Sequence, residues 1–293
     1  MQPASEQEIQ TNASEKNSRQ WNRSVGLRVI TAAVAIPVVL AFVWLSGWWG
    51  FAAAILAVIL SVYELHNMMV HEGYHPLIWM SVALSVLFLL AAMLPQQRLI
   101  LLEVGLSAAL LITLPLLFFR KKLEGAMVDW SLTLAIPVYL GWPLSVFLLL
   151  RGFQGGITVG FWWVLTVFLG VWGFDTGAFF AGHFLGRHKL APSISPAKTW
   201  EGAAGGMVLS IATALLFTTW SLGVPWYLAI LLGILIGIAA TLGALAESLI
   251  KRQTHVKDSG QFMPGHGGIL DRIDSLLFAV IVVFIFSQLV GKV

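Results

Sequence analysis

Long apolar runs separated by short polar breaks dominate the chain from about residue 27 onward. A helix needs about 20 apolar residues to cross the hydrocarbon core of a bilayer. Nine segments meet that length, at approximately 27–45, 48–66, 77–94, 99–119, 130–150, 157–180, 203–221, 226–247 and 270–290. Several are rich in β-branched residues and glycine, a composition that favours strands in water. In lipid an open sheet would leave backbone groups unpaired, so these runs read as helices. Pro37, Pro115, Pro137 and Pro143 fall inside spans and predict kinks. The small-residue runs at 202–206 and 233–243 suit close helix contact. The expected fold is an all-α integral membrane protein of about nine transmembrane helices, without an internal repeat.

Composition supports this reading. The chain is 58% hydrophobic and 11% charged, against about 25% charged in soluble domains. With no cysteine, disulfides and thiol chemistry are excluded. Residues 1–24 are polar and lack an apolar core, so they read as a disordered tail rather than a secretory signal. Residues 25–293 then form one polytopic catalytic unit. Cationic residues concentrate on the cytoplasmic side of membrane proteins. Placing the N-terminus in the cytoplasm leaves only Arg98, Arg151 and Lys292, of 17 Lys and Arg residues, on the other side. The C-terminus then lies opposite the N-terminus. The thirteen tryptophans mark the interfaces.

Charge gathers between the last two spans, from Ser248 to Asp274. This stretch holds Lys251, Arg252, Lys257, Arg272, Asp258, Asp271, Asp274, His255 and His266. Asp271 and Asp274 are three apart at the start of the final helix and share a face. An acidic first turn also complements the helix dipole. The nearby Asp258 and the glycines favour a divalent cation, since Mg²⁺ takes oxygen ligands and shares them with substrate phosphates. Gly265, Gly267 and Gly268 surround His266 and allow close backbone approach. A helix N-terminus offers free N–H groups to an anion. With the flanking cations, this describes a site for metal-bound phosphate.

A second polar stretch runs from Trp172 to Gly202. Asp175 lies within an apolar span, where an acid is costly and a functional role is the default. Ser195, Lys198 and Thr199 supply hydroxyls and an ammonium from a loop fixed by Pro192 and Pro196. They suit phosphate or ribose oxygens, although no P-loop is present. Glu201 reads as a capping residue and Glu247 as an i,i+4 partner of Lys251. Glu64, His66, His71 and His75 read as interfacial.

These stretches resemble the signature of the phosphatidate cytidylyltransferases, also called CDP-diacylglycerol synthases. The match falls on Ser248, Lys251, Arg252, Lys257, Asp258, Gly260, Pro264, His266, Gly267, Gly268, Asp271, Arg272 and Asp274, with Met263 where Leu, Ile or Phe is usual. Asp175-Thr-Gly-Ala and Ser195-Pro-Ala-Lys-Thr-Trp-Glu-Gly also resemble family motifs. The resemblance implies that CTP and phosphatidic acid give CDP-diacylglycerol and pyrophosphate at the cytoplasmic face of the inner membrane. It implies Mg²⁺, with K⁺ a candidate second ion, a homodimer among membrane lipids, and no nucleic-acid partner. Lys257, Asp258, Asp271 and Asp274 would be catalytic, and Asp175, Asp258, Asp271 and Asp274 would hold metal. Ser195, Lys198, Thr199, Lys251, Arg252, His266, Gly267, Gly268 and Arg272 would bind substrate. Three rivals differ in testable ways. A CTP-using polyprenol kinase would release CDP. A CDP-alcohol phosphotransferase would carry an Asp-Gly-x-x-Ala-Arg core, absent here. A transporter would spread polar residues across several spans.

Overall fold

The structure is a computed structural model, and it describes residues 33–119, 123–152, 154–260, 262 and 267–291. The tail expected over 1–24, the cations at 120–122 and His266 lie outside the described residues. Among the described residues nine helical segments follow in order: α1 (Ala33–Leu45), α2 (Gly47–His71), α3 (Ile78–Met93), α4 (Arg98–Phe119, closing in a 3₁₀ turn), α5 (Ala126–Arg151), α6 (Val159–Leu185), α7 (Trp200–Leu222), α8 (Trp226–Gln253) and α9 (Leu270–Val290). Among the described residues, seven are long and apolar enough to cross a membrane. The other two, α1 and α3, are shorter apolar helices. The protein is therefore an all-α integral membrane protein.

Helix α9 forms the axis of the bundle. Leu270 and Leu277 are fully buried against Val58 and Val62 of α2 and Leu140 of α5. Further along, Val280 and Val283 pack with Trp163 of α6 and Ile236 of α8. Helices α6 and α7 approach closely through small residues. A Cβ on Gly177 would stand 2.5 Å from the carbonyl oxygen of Gly205. Such packing suits lipid, where van der Waals fit rather than hydrophobic burial drives helix association. Large apolar side chains are widely exposed, including Trp44, Trp48, Trp49, Trp220 and Trp226 near the ends of helices, as expected of residues seated at an interface.

Two features depart from the sequence reading. Ser195–Thr199 is a strand rather than a loop, paired antiparallel with Lys189–Ala191. In a two-stranded ribbon every strand is an edge, so Pro196 removes no essential ladder bond. These strands are β1 (Lys189–Ala191) and β2 (Ser195–Thr199), and the hairpin leads directly into α7. Helix α8 also continues past the expected end at 247 to Gln253. Lys251 and Arg252 thus stand in its last turn, where cations complement the helix dipole.

The end of the bundle remote from the charged stretches is tied by Arg151. It is 6% exposed and uses all five N–H donors. They reach the carbonyls of Val43, Trp44, Gln154 and Gly156 and the hydroxyl of Thr158. The α1–α2 turn is thereby locked to the α5–α6 connection, and Ser46 adds a hydrogen bond to Gly152 O at 2.6 Å.

Candidate active site

The two polar stretches meet at the opposite end of the bundle. The hairpin docks onto α8 through Arg252, whose Nε–H donates to Ile194 O at 3.2 Å. Glu201 stands in the first turn of α7, and its carboxylate also reaches beyond that helix. It accepts from the backbone N–H groups of Arg187 and His188, and pairs with His188 Nδ1 at 2.6 Å. Thr199 is the cap. Its Oγ1 accepts from Gly202 N–H at 3.1 Å to start α7, as a Thr N-cap does.

Two cavities open on this framework and share one lining residue, Asp175. The first, about 520 Å³, is bounded by α6, α7, α8 and the hairpin, and Lys198, Thr199 and Gly202 line it. The second, about 450 Å³, is bounded by α1, α6 and α9. Asp271, Arg272 and Asp274 lie at its head, with Val39, Phe168 and Leu276 among its apolar walls. A third, apolar cavity of about 210 Å³ shares Val39, Ala57, Phe168, Ile273 and Leu276 with the second and ends at Arg151. Asp175 lies on α6, is exposed, and lines both of the first two cavities.

Lys198 projects from β2 into the first cavity. Its Nζ is buried and makes no hydrogen bond to a described residue. Burial pushes its ammonium below the ordinary lysine value, opposed by the charges of Asp274, Asp175 and Glu247. An unpartnered buried ammonium is costly, and an anion arriving in the cavity would relieve that cost.

Asp271 and Asp274 share a helix face but have different surroundings. Asp271 is fully engaged. Its Oδ1 accepts from Lys251 Nζ at 2.6 Å, and its Oδ2 accepts from Ser259 N at 3.0 Å, Ser259 Oγ at 2.9 Å and Gly268 N at 2.9 Å. Asp274 accepts a hydrogen bond from its neighbour Ser275 N–H at 2.6 Å. Close passage of α8 past Asp274 requires Gly243, where a Cβ would stand 2.5 Å from Asp274 O. Among the described residues, Asp175 and Asp258 make no hydrogen bond or ion pair. Lys257, Asp258 and Arg272 are exposed. Lys251 also contacts Glu247 Oε2 at 3.2 Å, so the i,i+4 pair expected from the sequence is present. Glu247 is more deeply placed than that role suggests: it is 2% exposed, and its Oε1 has no hydrogen-bond partner among the described residues.

No group of three or more Asp, Glu, His or Cys side chains among the described residues could hold a metal ion alone. The donor set still fits Mg²⁺, which binds oxygen and is commonly held by one or two carboxylates completed by substrate phosphates. Asp175, Asp271 and Asp274 line a common cavity, and Asp175 and Asp274, which lack the four hydrogen bonds that engage Asp271, are the best placed.

One residue escaped the sequence reading. Glu64 is not interfacial but 6% exposed inside the bundle. Its carboxylate takes the N–H groups of Ile269 and Leu270 at the start of α9, both at 2.9 Å. The free N–H groups expected there are therefore taken by protein carboxylates, Gly268 N–H by Asp271. The usable signal was an acid in an apolar span, the same signal that singled out Asp175.

The sequence model described as the cytidylyltransferase family matches residues 26–290. Similar proteins carry the name phosphatidate cytidylyltransferase. That of Synechocystis sp. is 34% identical over 287 residues, covering 89% of this chain and 96% of the relative. That of Staphylococcus haemolyticus is 34% identical over 260 residues, covering 87% and 95%. That of Haemophilus influenzae is 45% identical over 126 residues, covering 41% and 44%.

Proposed function

The chain belongs to the cytidylyltransferase family, and from that premise we propose that it transfers the cytidylyl group of CTP to phosphatidic acid. A phosphate oxygen of the lipid attacks the α-phosphorus of CTP. The bond from that phosphorus to the α–β bridging oxygen breaks. CDP-diacylglycerol stays in the bilayer and pyrophosphate leaves to water. The observation that carries this reading is the meeting of two cavities at Asp175, one lined by Lys198 and Thr199, the other apolar below Asp271, Arg272 and Asp274. A water-borne triphosphate fits the first and a lipid phosphate the head of the second.

The lipid phosphate is largely ionised at pH 7, since phosphomonoesters have a second pKa near ~6. A strong general base is unnecessary, and the main obstacle is the repulsion of two polyanions. Lys198, Lys251, Arg252, Lys257 and Arg272 bring positive charge to them. Ser195 and Thr199 present hydroxyl groups along β2, and Gly267 and Gly268 shape the turn before α9. His266 belongs to this set through the motif resemblance. Asp175, Asp258, Asp271 and Asp274 are the residues that would hold Mg²⁺, with K⁺ a candidate second ion. When bound, Mg²⁺ neutralises the triphosphate and stabilises the leaving pyrophosphate.

The distribution of Lys and Arg supports a cytoplasmic active site in the inner membrane. Association into a homodimer belongs to the same proposal, and cross-linking in native membranes reads it. The deciding experiment is pyrophosphate release by purified protein with CTP and Mg²⁺, with and without phosphatidic acid. Lipid-dependent pyrophosphate supports the assignment. Release of CDP, or turnover indifferent to phosphatidic acid, would sink it.

A further inference from the structure

Glu64 lies on α2, remote in sequence from the loop that it touches. Both of its oxygens are engaged. Oε1 accepts from Ile269 N–H at 2.9 Å, and Oε2 accepts from Leu270 N–H at 2.9 Å and from the Ser259 hydroxyl at 3.1 Å. The N-cap residue of α9, Ile269, offers no capping side chain. The N–H groups and dipole of the helix favour an anion, and Glu64 supplies one from another helix.

The loop is shaped around this carboxylate. A Cβ on Gly260 would stand 2.6 Å from Glu64 Oε1, and one on Gly268 would stand 2.5 Å from Oε2. The contacts continue into the site. Ser259 Oγ lies between Glu64 Oε2 and Asp271 Oδ2, at 3.1 and 2.9 Å. Its single proton serves one carboxylate at a time. Asp271 Oδ1 then holds Lys251 Nζ at 2.6 Å. An unbroken path thus links an acid buried in α2 to a phosphate-binding ammonium on α8.

We propose that Glu64 is a positioning residue for cytidylyl transfer: it is the resident anion of the α9 N-terminus, fixing Ser259, Ile269 and Leu270 and, through Ser259 and Asp271, the ammonium of Lys251. The inference rests on the function proposed above. It also reserves the α9 N-terminus for the protein, so that substrate phosphate meets side-chain cations instead of these N–H groups.

The test uses the full chain purified in detergent, with Glu64→Ala, Glu64→Gln and Gly260→Ala. Hydrogen exchange of the 257–270 segment reads the clamp without any assay of activity. Glu64→Ala is expected to lose protection at Ile269 and Leu270 while α5, α6 and α8 keep theirs. In steady-state kinetics it should lower kcat about 30-fold or more, the scale of losing hydrogen bonds to a buried charge, with KM for phosphatidic acid changed less than about twofold. Glu64→Gln keeps one acceptor oxygen and should lie between. Formate, small enough to enter the space left by Glu64→Ala, should restore part of kcat to that variant and none to wild type. Gly260→Ala should impair wild type but not worsen Glu64→Ala, because the carboxylate that its Cβ meets is gone. Wild-type kinetics in both Glu64 variants overturns the proposal. So does loss that accompanies global unfolding, equal in Ala and Gln and unmoved by formate, since Glu64 would then serve only the fold. If wild type itself lacks lipid-dependent pyrophosphate release, the functional reading fails, while the exchange result still judges the clamp.

Discussion

At the scale of single residues, two aspartates on one helix face separate by their partners. Asp271 accepts four hydrogen bonds, from Lys251, Ser259 and Gly268, whereas among the described residues the Asp274 carboxylate accepts from its own neighbour Ser275. Asp271→Asn would turn an NH₂ toward donors and strand at least one, at a cost of about 1–3 kcal/mol. It is expected to lower both the thermal midpoint in detergent and kcat. Asp274→Asn should lower kcat about 100-fold or more through lost metal and charge chemistry, with the midpoint nearly unchanged. Parallel thermal scans and pyrophosphate assays check the pair, and identical stability losses would remove the distinction. Lys198 gives a pH prediction of opposite signs. Burial lowers its folded value below the ordinary 10.5, so the unfolded chain binds more protons between those two values. Its contribution to the stability of the substrate-free protein therefore rises with pH through that window. Binding of CTP phosphates falls over the same window, as the ammonium becomes neutral. Lys198→Met should flatten both trends. A KM for CTP that is pH-independent in wild type across the alkaline range would refute the assignment.

At the scale of elements, the helices were legible because lipid allows one backbone solution to a long apolar run, although among the described residues seven rather than nine are long and apolar enough to cross a membrane. The helix ends were less so. Helix α8 runs on to Gln253 because Lys251, Arg252 and Gln253 are good helix formers whose charges suit a C-terminus. The hairpin was hidden because Ser195–Thr199 is short and contains proline, which reads as a break. The site itself was legible where chemistry is local: Asp271 with Asp274, Glu247 with Lys251, Asp175 in a span. Contacts made by distant segments were not, as with Glu64 reaching Leu270 and Arg151 tying the α1–α2 turn. Arg151 illustrates what such contacts contribute. It donates to the carbonyls of Val43 and Trp44 at the end of α1, and the Trp44 oxygen also accepts from Gly156 N–H at 2.7 Å. Arg151→Ala removes the charge together with five hydrogen bonds to acceptors of the α1–α2 turn and the α5–α6 connection, with an expected loss of roughly 3 kcal/mol. Arg151→Lys has three donors for five acceptors and should recover only part of it. Denaturation midpoints of the two variants read this directly, and equal midpoints for wild type and Arg151→Ala would show that the tie is dispensable.

At the scale of the whole molecule, the bundle holds a polar end and an apolar interior along one path. The second and third cavities adjoin through Val39, Ala57, Phe168, Ile273 and Leu276, so apolar space lies along α1 from below Asp274 toward Arg151. Helix α1 lines it from Ala35 to Val43, about 12 Å of helix at 1.5 Å per residue. If the lipid phosphate binds beside Asp274 and Arg272, an acyl chain is the natural occupant of that space. Gly50 offers a clean way to ask. It lines the third cavity, and a Cβ there would meet only ordinary contacts, Phe42 O at 3.8 Å and Leu148 Cδ2 at 4.0 Å. Gly50→Leu should thus be accepted by the fold while filling the far part of the path. Each methylene excluded from an apolar site costs about 0.8 kcal/mol, so displacing two should lower kcat/KM about tenfold or slightly more. The loss is expected with dioleoyl phosphatidic acid and not with the dioctanoyl lipid, whose chains stop short of Gly50. Unchanged activity with the short lipid also certifies that the protein is folded and its polar end intact. A chain-length ratio identical to that of wild type would mean that the acyl chains lie elsewhere, against the outer surface of the bundle.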